Sequence, residues 1–100
     1  MLLHTVNKSP FQNNSLDSCI THAKDGSGIL LTEDGVYGAL KGTAFSSKVA
    51  DAMKTKKVYA LGPDLKTRGV TDSVLDGVVV VDYAGFVDLT AEYSQVQAWL

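Results

Sequence analysis

The sequence predicts an α/β fold: a single domain, residues 1–100, built on one parallel sheet of about four to five strands with helices on both faces. Three observations carry this expectation. Short apolar, β-branched runs alternate along the chain with segments whose apolar residues recur at helical spacing. The strand-like runs, above all Ile29-Leu30-Leu31 and Val78-Val79-Val80-Val81, are continuously apolar, as in strands covered on both faces. Glycine and proline punctuate the joints, at Gly26-Ser27-Gly28, Gly42, Gly62-Pro63, Gly69 and Gly77. Crossovers between parallel neighbours default to the right-handed form.

Leu2 to Val6 reads as the first strand. Asn7-Lys8-Ser9-Pro10 ends it, because proline cannot donate to a ladder and asparagine favours turns. Asn14 or Ser15 can cap the next helix, and Asp17 suits the positive end of its dipole. Leu16, Cys19, Ile20 and Ala23 follow the i, i+3, i+4, i+7 pattern and form its inner stripe. Asp25-Gly26-Ser27-Gly28 stops that helix, and Ile29 to Thr32 is the second strand. After Glu33-Asp34-Gly35 the pattern predicts a short helix over Val36 to Lys41, broken by Gly42-Thr43. A further helix runs from Ser46 or Ser47 to about Lys54, with Val49, Ala52 and Met53 inward.

Val58 to Leu61 is the third strand. Pro63 then opens a short helix over Leu65 to Arg68, and Thr71 to Leu75 forms another helical turn. Val78 to Val81 is the strongest strand signal in the chain. The last helix follows Asp82, with Phe86, Val87, Leu89, Thr90 and Tyr93 repeating at helical spacing. Ser94 to Leu100 either adds a short strand or lies on the surface.

Composition narrows the function classes. The formal net charge is -2, and an acidic chain argues against direct, tight nucleic-acid binding, which needs several cations aimed at phosphates. One cysteine excludes an intrachain disulfide framework and any metal site made of several thiolates. The opening residues are too few and too polar for a signal peptide, and no apolar run approaches a membrane span. We therefore expect a cytoplasmic, reduced protein. Charge is uneven. Residues 41–68 hold six lysines and one arginine against two aspartates, whereas residues 69–100 hold five acids and no lysine or arginine. Solvated helix faces account for this; electrostatic matching to protein partners is the sharper alternative.

Cys19 is the focus for chemistry. A thiolate near a helix N-terminus can attack or carry a sulfane sulfur, yet Cys19 sits four or five residues past the expected cap, so help from the dipole is modest. The other reading makes Cys19 a small core hydrophobe on the apolar stripe, inert once buried. His22, three residues on, lies near the same helical face and could pair with the thiol, or it could face solvent. His4 reads as a strand histidine rather than a ligand. Glu33 and Asp34 are an acid–base pair at a strand end in one reading, and turn and helix-start charges in the other. Gly26-Ser27-Gly28 precedes a strand, so it is not a dinucleotide fingerprint. Trp99 is an apolar anchor for this domain or for another subunit.

Several segments in order resemble the DsrH/TusB family of sulfur-relay proteins over nearly the whole chain. They are Leu3-His4-Thr5-Val6-Asn7-Lys8-Ser9-Pro10-Phe11, Asn14-Ser15-Leu16 with Cys19, Glu33-Asp34-Gly35-Val36-Tyr37, and Val58-Tyr59-Ala60-Leu61-Gly62-Pro63-Asp64-Leu65. Arg68-Gly69, Val81-Asp82-Tyr83-Ala84-Gly85-Phe86-Val87-Asp88-Leu89 and Gln97-Ala98-Trp99-Leu100 complete the set. The cysteine and the Asn-Lys-Ser-Pro-Phe opening look closer to the DsrH branch than to TusB. The resemblance implies a DsrEFH-like parallel fold and a place in a heterohexamer with homologous DsrE/TusD-like and DsrF/TusC-like subunits. It implies passage of persulfide sulfur between carriers, with a DsrC/TusE-like sulfur carrier as partner. The purpose would be sulfur oxidation in the DsrH branch and 2-thiolation of the tRNA wobble uridine in the TusB branch. It assigns the principal sulfur-accepting cysteine to the DsrE/TusD-like subunit and leaves Cys19 as a candidate secondary sulfur carrier. No cofactor, metal, membrane or direct nucleic-acid contact is implied. The competing expectation is a structural or interaction α/β module with no thiol chemistry of its own, in which Cys19 is buried.

Overall fold

The structure, a computed structural model, describes residues 1–99. Leu100, the last residue of the tail motif, lies outside the described residues. Among the described residues there are five strands: β1 (Leu2–Val6), β2 (Gly28–Leu31), β3 (Lys57–Leu61), β4 (Val79–Val81) and β5 (Gln95–Trp99). They form one sheet in the order β4-β3-β2-β1-β5, and every pairing is parallel. The helices are α1 (Ser15–His22), α2 (Ser46–Ala52), α3 (Gly62–Thr67) and α4 (Tyr83–Glu92). The predicted α/β class with helices on both faces is what the chain adopts.

Strand order dictates which face each helix covers. From β1 to β4 the chain steps outward in one direction, so right-handed crossovers put α1, α2 and α3 on one face. The step from β4 back to β5 runs the other way and puts α4 on the opposite face. Two apolar clusters follow. Val6, Leu16, Cys19, Ile29, Leu31, Val36, Val49, Val58 and Leu65 pack on the α1 side. Leu3, Leu30, Tyr59, Leu89 and Tyr93 pack under α4, where the Tyr59 and Tyr93 hydroxyls lie 3.2 Å apart. All four residues of β2 are buried, as its continuous apolar run requires.

Local departures from the sequence reading have local causes. Asn14 occupies the N-cap of α1 without a side-chain cap, and Asn13 Oδ1 accepts the Ser15 N–H at 2.7 Å instead. The predicted helix over 36–41 is a 3₁₀ segment, Glu33–Ala39, that begins in the acidic pair. Gly35 explains its path: a Cβ there would lie 2.1 Å from the Val6 carbonyl oxygen, so only glycine lets the turn pass the end of β1. Glu33 sits at φ 50, a left-handed conformation, with its N–H held by Asp64 Oδ2 at 2.6 Å. The valine run expected to be a covered strand forms the edge strand β4, where Val79 and Val80 are about half exposed (49% and 47%). The tail forms β5, the opposite edge.

Candidate functional site

Cys19 is the fifth residue of α1, with 0% of its surface exposed. The helix lays its stripe on β1 and β2, so the thiol packs among Leu16, Ile29, Leu31 and Val36 in the same cluster. Burial pushes the thiol pKa up from 9.0 to about 12, and the charge of Lys56 only partly opposes this. At pH 7 such a group is thiolate in about one molecule in 10⁵. Asp17, expected near the helix start, forms an ion pair with Lys48 and ties α1 to α2.

His22 is engaged away from the thiol. Its Nδ1 lies 2.8 Å from the Ser18 carbonyl one turn back, which makes Nδ1 the protonated nitrogen. Its ring lies 6.3 Å from the Trp99 ring, and no hydrogen bond joins it to Cys19. His4 and Trp99 meet because β1 and β5 are neighbours, in the register His4 to Gln97 and Val6 to Trp99. Trp99 Nε1–H donates to His4 Nδ1 at 2.9 Å, which puts the proton of neutral His4 on Nε2. That Nε2 is buried and has no hydrogen-bond partner. Desolvation lowers the His4 pKa, so the ring is neutral at pH 7. Trp99 thus anchors on its own domain, partly covered against the α1-side core.

Beside this ring cluster lies a cavity of about 590 Å³. It opens past the carboxyl end of α1, which packs over β1 and reaches β5 at Trp99, along the amino-terminal ends of β1 and β5. The floor is Leu2, His4, Gln95, Gln97 and Trp99, and the wall is His22, Lys24, Asp25 and Ser27. The sequence reading named His4, His22 and Trp99 separately and did not bring them together. Their proximity depends on β5 joining β1, which no local pattern encodes.

The carboxyl ends of the strands, where open α/β sheets bind ligands, are occupied by structural pairings. Asp34 accepts from Arg68 Nε at 3.0 Å and from its terminal nitrogen at 2.9 Å. Glu33 and Asp64 share the contact described above. The acidic pair therefore holds the 3₁₀ segment to α3, and the turn reading applies. A smaller cavity of about 290 Å³ is lined there by Thr5, Thr32, Glu33, Leu61, Asp64 and Phe86, among others. Asn7, at the end of β1, keeps a buried Oδ1 without a partner. Among the described residues, no group of three or more His, Cys, Asp or Glu side chains could hold a metal ion, and no helix is long and apolar enough to cross a membrane.

A family model described as "DsrH like protein" matches residues 8–96. Protein TusB of Pectobacterium atrosepticum is 36% identical over 98 residues, spanning 98% of this chain and the full length of that protein. Protein TusB of Salmonella enteritidis is 39% identical over 100 residues, with the same coverage. Among solved structures, the ychN protein from E. coli superposes with a TM-score of 0.81 over 97% of each chain. At 16% identity that last likeness is one of fold.

Proposed function

The chain belongs to the DsrH-like protein family, in which its TusB relatives also fall, and from that premise we propose that it acts as a single-domain subunit of a cytoplasmic sulfur-relay assembly. Its work is to build the relay with DsrE/TusD-like and DsrF/TusC-like subunits, which hand persulfide sulfur to a DsrC/TusE-like carrier. The similar proteins that carry the TusB name favour tRNA thiolation over sulfur oxidation as the purpose.

One observation carries the interaction role: α4, the only helix on its face of the sheet among the described residues, leaves Tyr83 (60%) and Val87 (64%) exposed. Val79 of β4 and Val96 of β5 add exposed apolar surface on the same face of the sheet. A small domain that leaves such side chains in water is suited to a partner that covers them. The thiol itself supports a supporting part rather than the principal one. A sulfur carrier needs an accessible, ionisable thiol, and Cys19 is sealed and held protonated. In this reading the accepting cysteine lies on a partner, and Cys19 is a packing residue unless assembly opens α1.

The test is reconstitution. Mixed with the two homologous subunits, the chain should co-elute as one complex. That complex should transfer sulfur equally well with Cys19→Ser. A chain that never associates refutes the subunit reading. An intact Cys19→Ser complex that has lost transfer makes Cys19 a carrier.

A further inference from the structure

The edge strand β5 differs from a typical exposed edge. Natural sheets guard their edges with lysine, proline, bulges or very short strands, because half of the backbone N–H and C=O groups there face solvent. The other edge, β4, is short at three residues and runs straight into Asp82. β5 has five residues, Gln95-Val96-Gln97-Ala98-Trp99, with no charge and no proline, and it pairs with β1 in unbroken register along its length. Its free side is open to strand addition, the mode in which main-chain hydrogen bonds give affinity and pockets for alternate side chains give specificity.

Such a pocket adjoins it. Side chains of an added strand would alternate between the α4 face, beside Val96 and Ala98, and the α1 face, beside Gln97 and Trp99. On the α1 face they meet the 590 Å³ cavity. Its charge is lopsided. Lys24 has no ion-pair partner among the described residues, whereas Asp25, the one acid lining the cavity, is paired with Lys56 at 3.6 Å. The buried Nε2–H of His4 supplies an independent sign, a donor at the floor with nothing to accept from it. An unpaired buried donor is expensive, so an oxygen that reached it would relieve that cost.

We propose that β5 receives an extended segment of a partner polypeptide as a sixth strand, with an acidic side chain of that segment seated in the His4–His22–Lys24 cavity. The carboxylate pairs with Lys24 and approaches His4 Nε2–H. β-branched neighbours on the segment cover Val96. This does not rest on the sulfur-relay reading, and a chain that assembles with its relay subunits yet ignores such a segment sinks strand addition alone.

The probe is a capped heptapeptide alternating valine and glutamate, titrated into ¹⁵N-labelled protein, with a valine–lysine heptapeptide as its counterpart. The glutamate peptide should shift the amides of residues 95–99 and the Trp99 indole N–H, slow their hydrogen exchange, and bind at least tenfold tighter than the lysine peptide. Lys24→Glu, an exposed change that should leave the circular dichroism spectrum intact, should reverse that preference. Absent binding, equal binding of both peptides, or shifts centred on β4 would overturn the proposal. So would β5 amides already protected in a free chain that sediments as a dimer, since the occupant would then be a second copy.

Discussion

Reaction of Cys19 with a thiol reagent offers the sharpest reading of this fold. In the unfolded chain the thiol titrates near 9.0, and in the folded chain it is pushed up to about 12. At pH 7 that lowers the thiolate fraction about a thousandfold, from roughly 10⁻² to 10⁻⁵. Access adds to this, because no part of the residue is exposed and a reagent must wait for α1 to lift from β1 and β2. Labelling with a disulfide reagent at pH 7 should therefore run at least about a thousandfold slower in buffer than in guanidinium. The sign of the linked stability follows. A folded pKa above the unfolded one means that the stabilisation is fully present below about pH 9 and is lost as pH rises towards 12. In that window the unfolded chain releases a proton that the folded one keeps, and stability falls by up to about 1.4 kcal/mol per pH unit. Wild type should show this slope in denaturant titrations, and Cys19→Ala should lack that share of it. Native labelling within tenfold of the unfolded rate would refute the sealed-thiol account.

Other perturbations test separate parts of the structure. Gly35→Ala drives a methyl into the Val6 carbonyl, 2.1 Å from the new Cβ, and should destabilise by at least about 2 kcal/mol, read as a lower denaturation midpoint. Burial lowers the His4 pKa, so its contribution is fully present above about pH 6.5 and is lost as pH falls from there towards the lowered folded value, the unfolded chain taking up the proton first. The drop in stability between pH 7 and pH 5 should accordingly be larger in wild type than in His4→Phe. Val87→Lys on α4 should change the isolated chain's stability by less than about 0.5 kcal/mol, since the side chain is exposed. The same variant should fail to co-elute with the homologous subunits; unaltered assembly would remove α4 from the interface.

Much of this architecture was written in local pattern. Of the helical stripe Leu16, Cys19, Ile20 and Ala23, three are buried as the spacing predicts and Ile20 is partly covered against the same cluster. The last helix starts at Tyr83, next to the predicted Asp82 opening, where the Asp82 carboxylate accepts the Gly85 N–H at 2.7 Å. Of the residues read as repeating at helical spacing, Phe86, Leu89 and the C-cap Tyr93 pack on the sheet, whereas Val87 and Thr90, read with them, face water. Periodicity specifies an inner face and a type of element, because both are properties of a few consecutive residues.

The sequence by itself therefore determined the α/β class, the alternation of elements and, through residues spread along the chain, the family. It could not determine strand order. The valine run of β4 gives the strongest strand signal, yet it lies at an edge, because which strand borders which is set by long-range crossovers and not by the strand's own composition. Only the tertiary structure brought His4 to Trp99, 95 positions away, and opened the cavity beside them. It also decided between the two readings of Cys19's surroundings: the stripe is the same in both, but the exposure of one sulfur depends on the sheet that α1 covers.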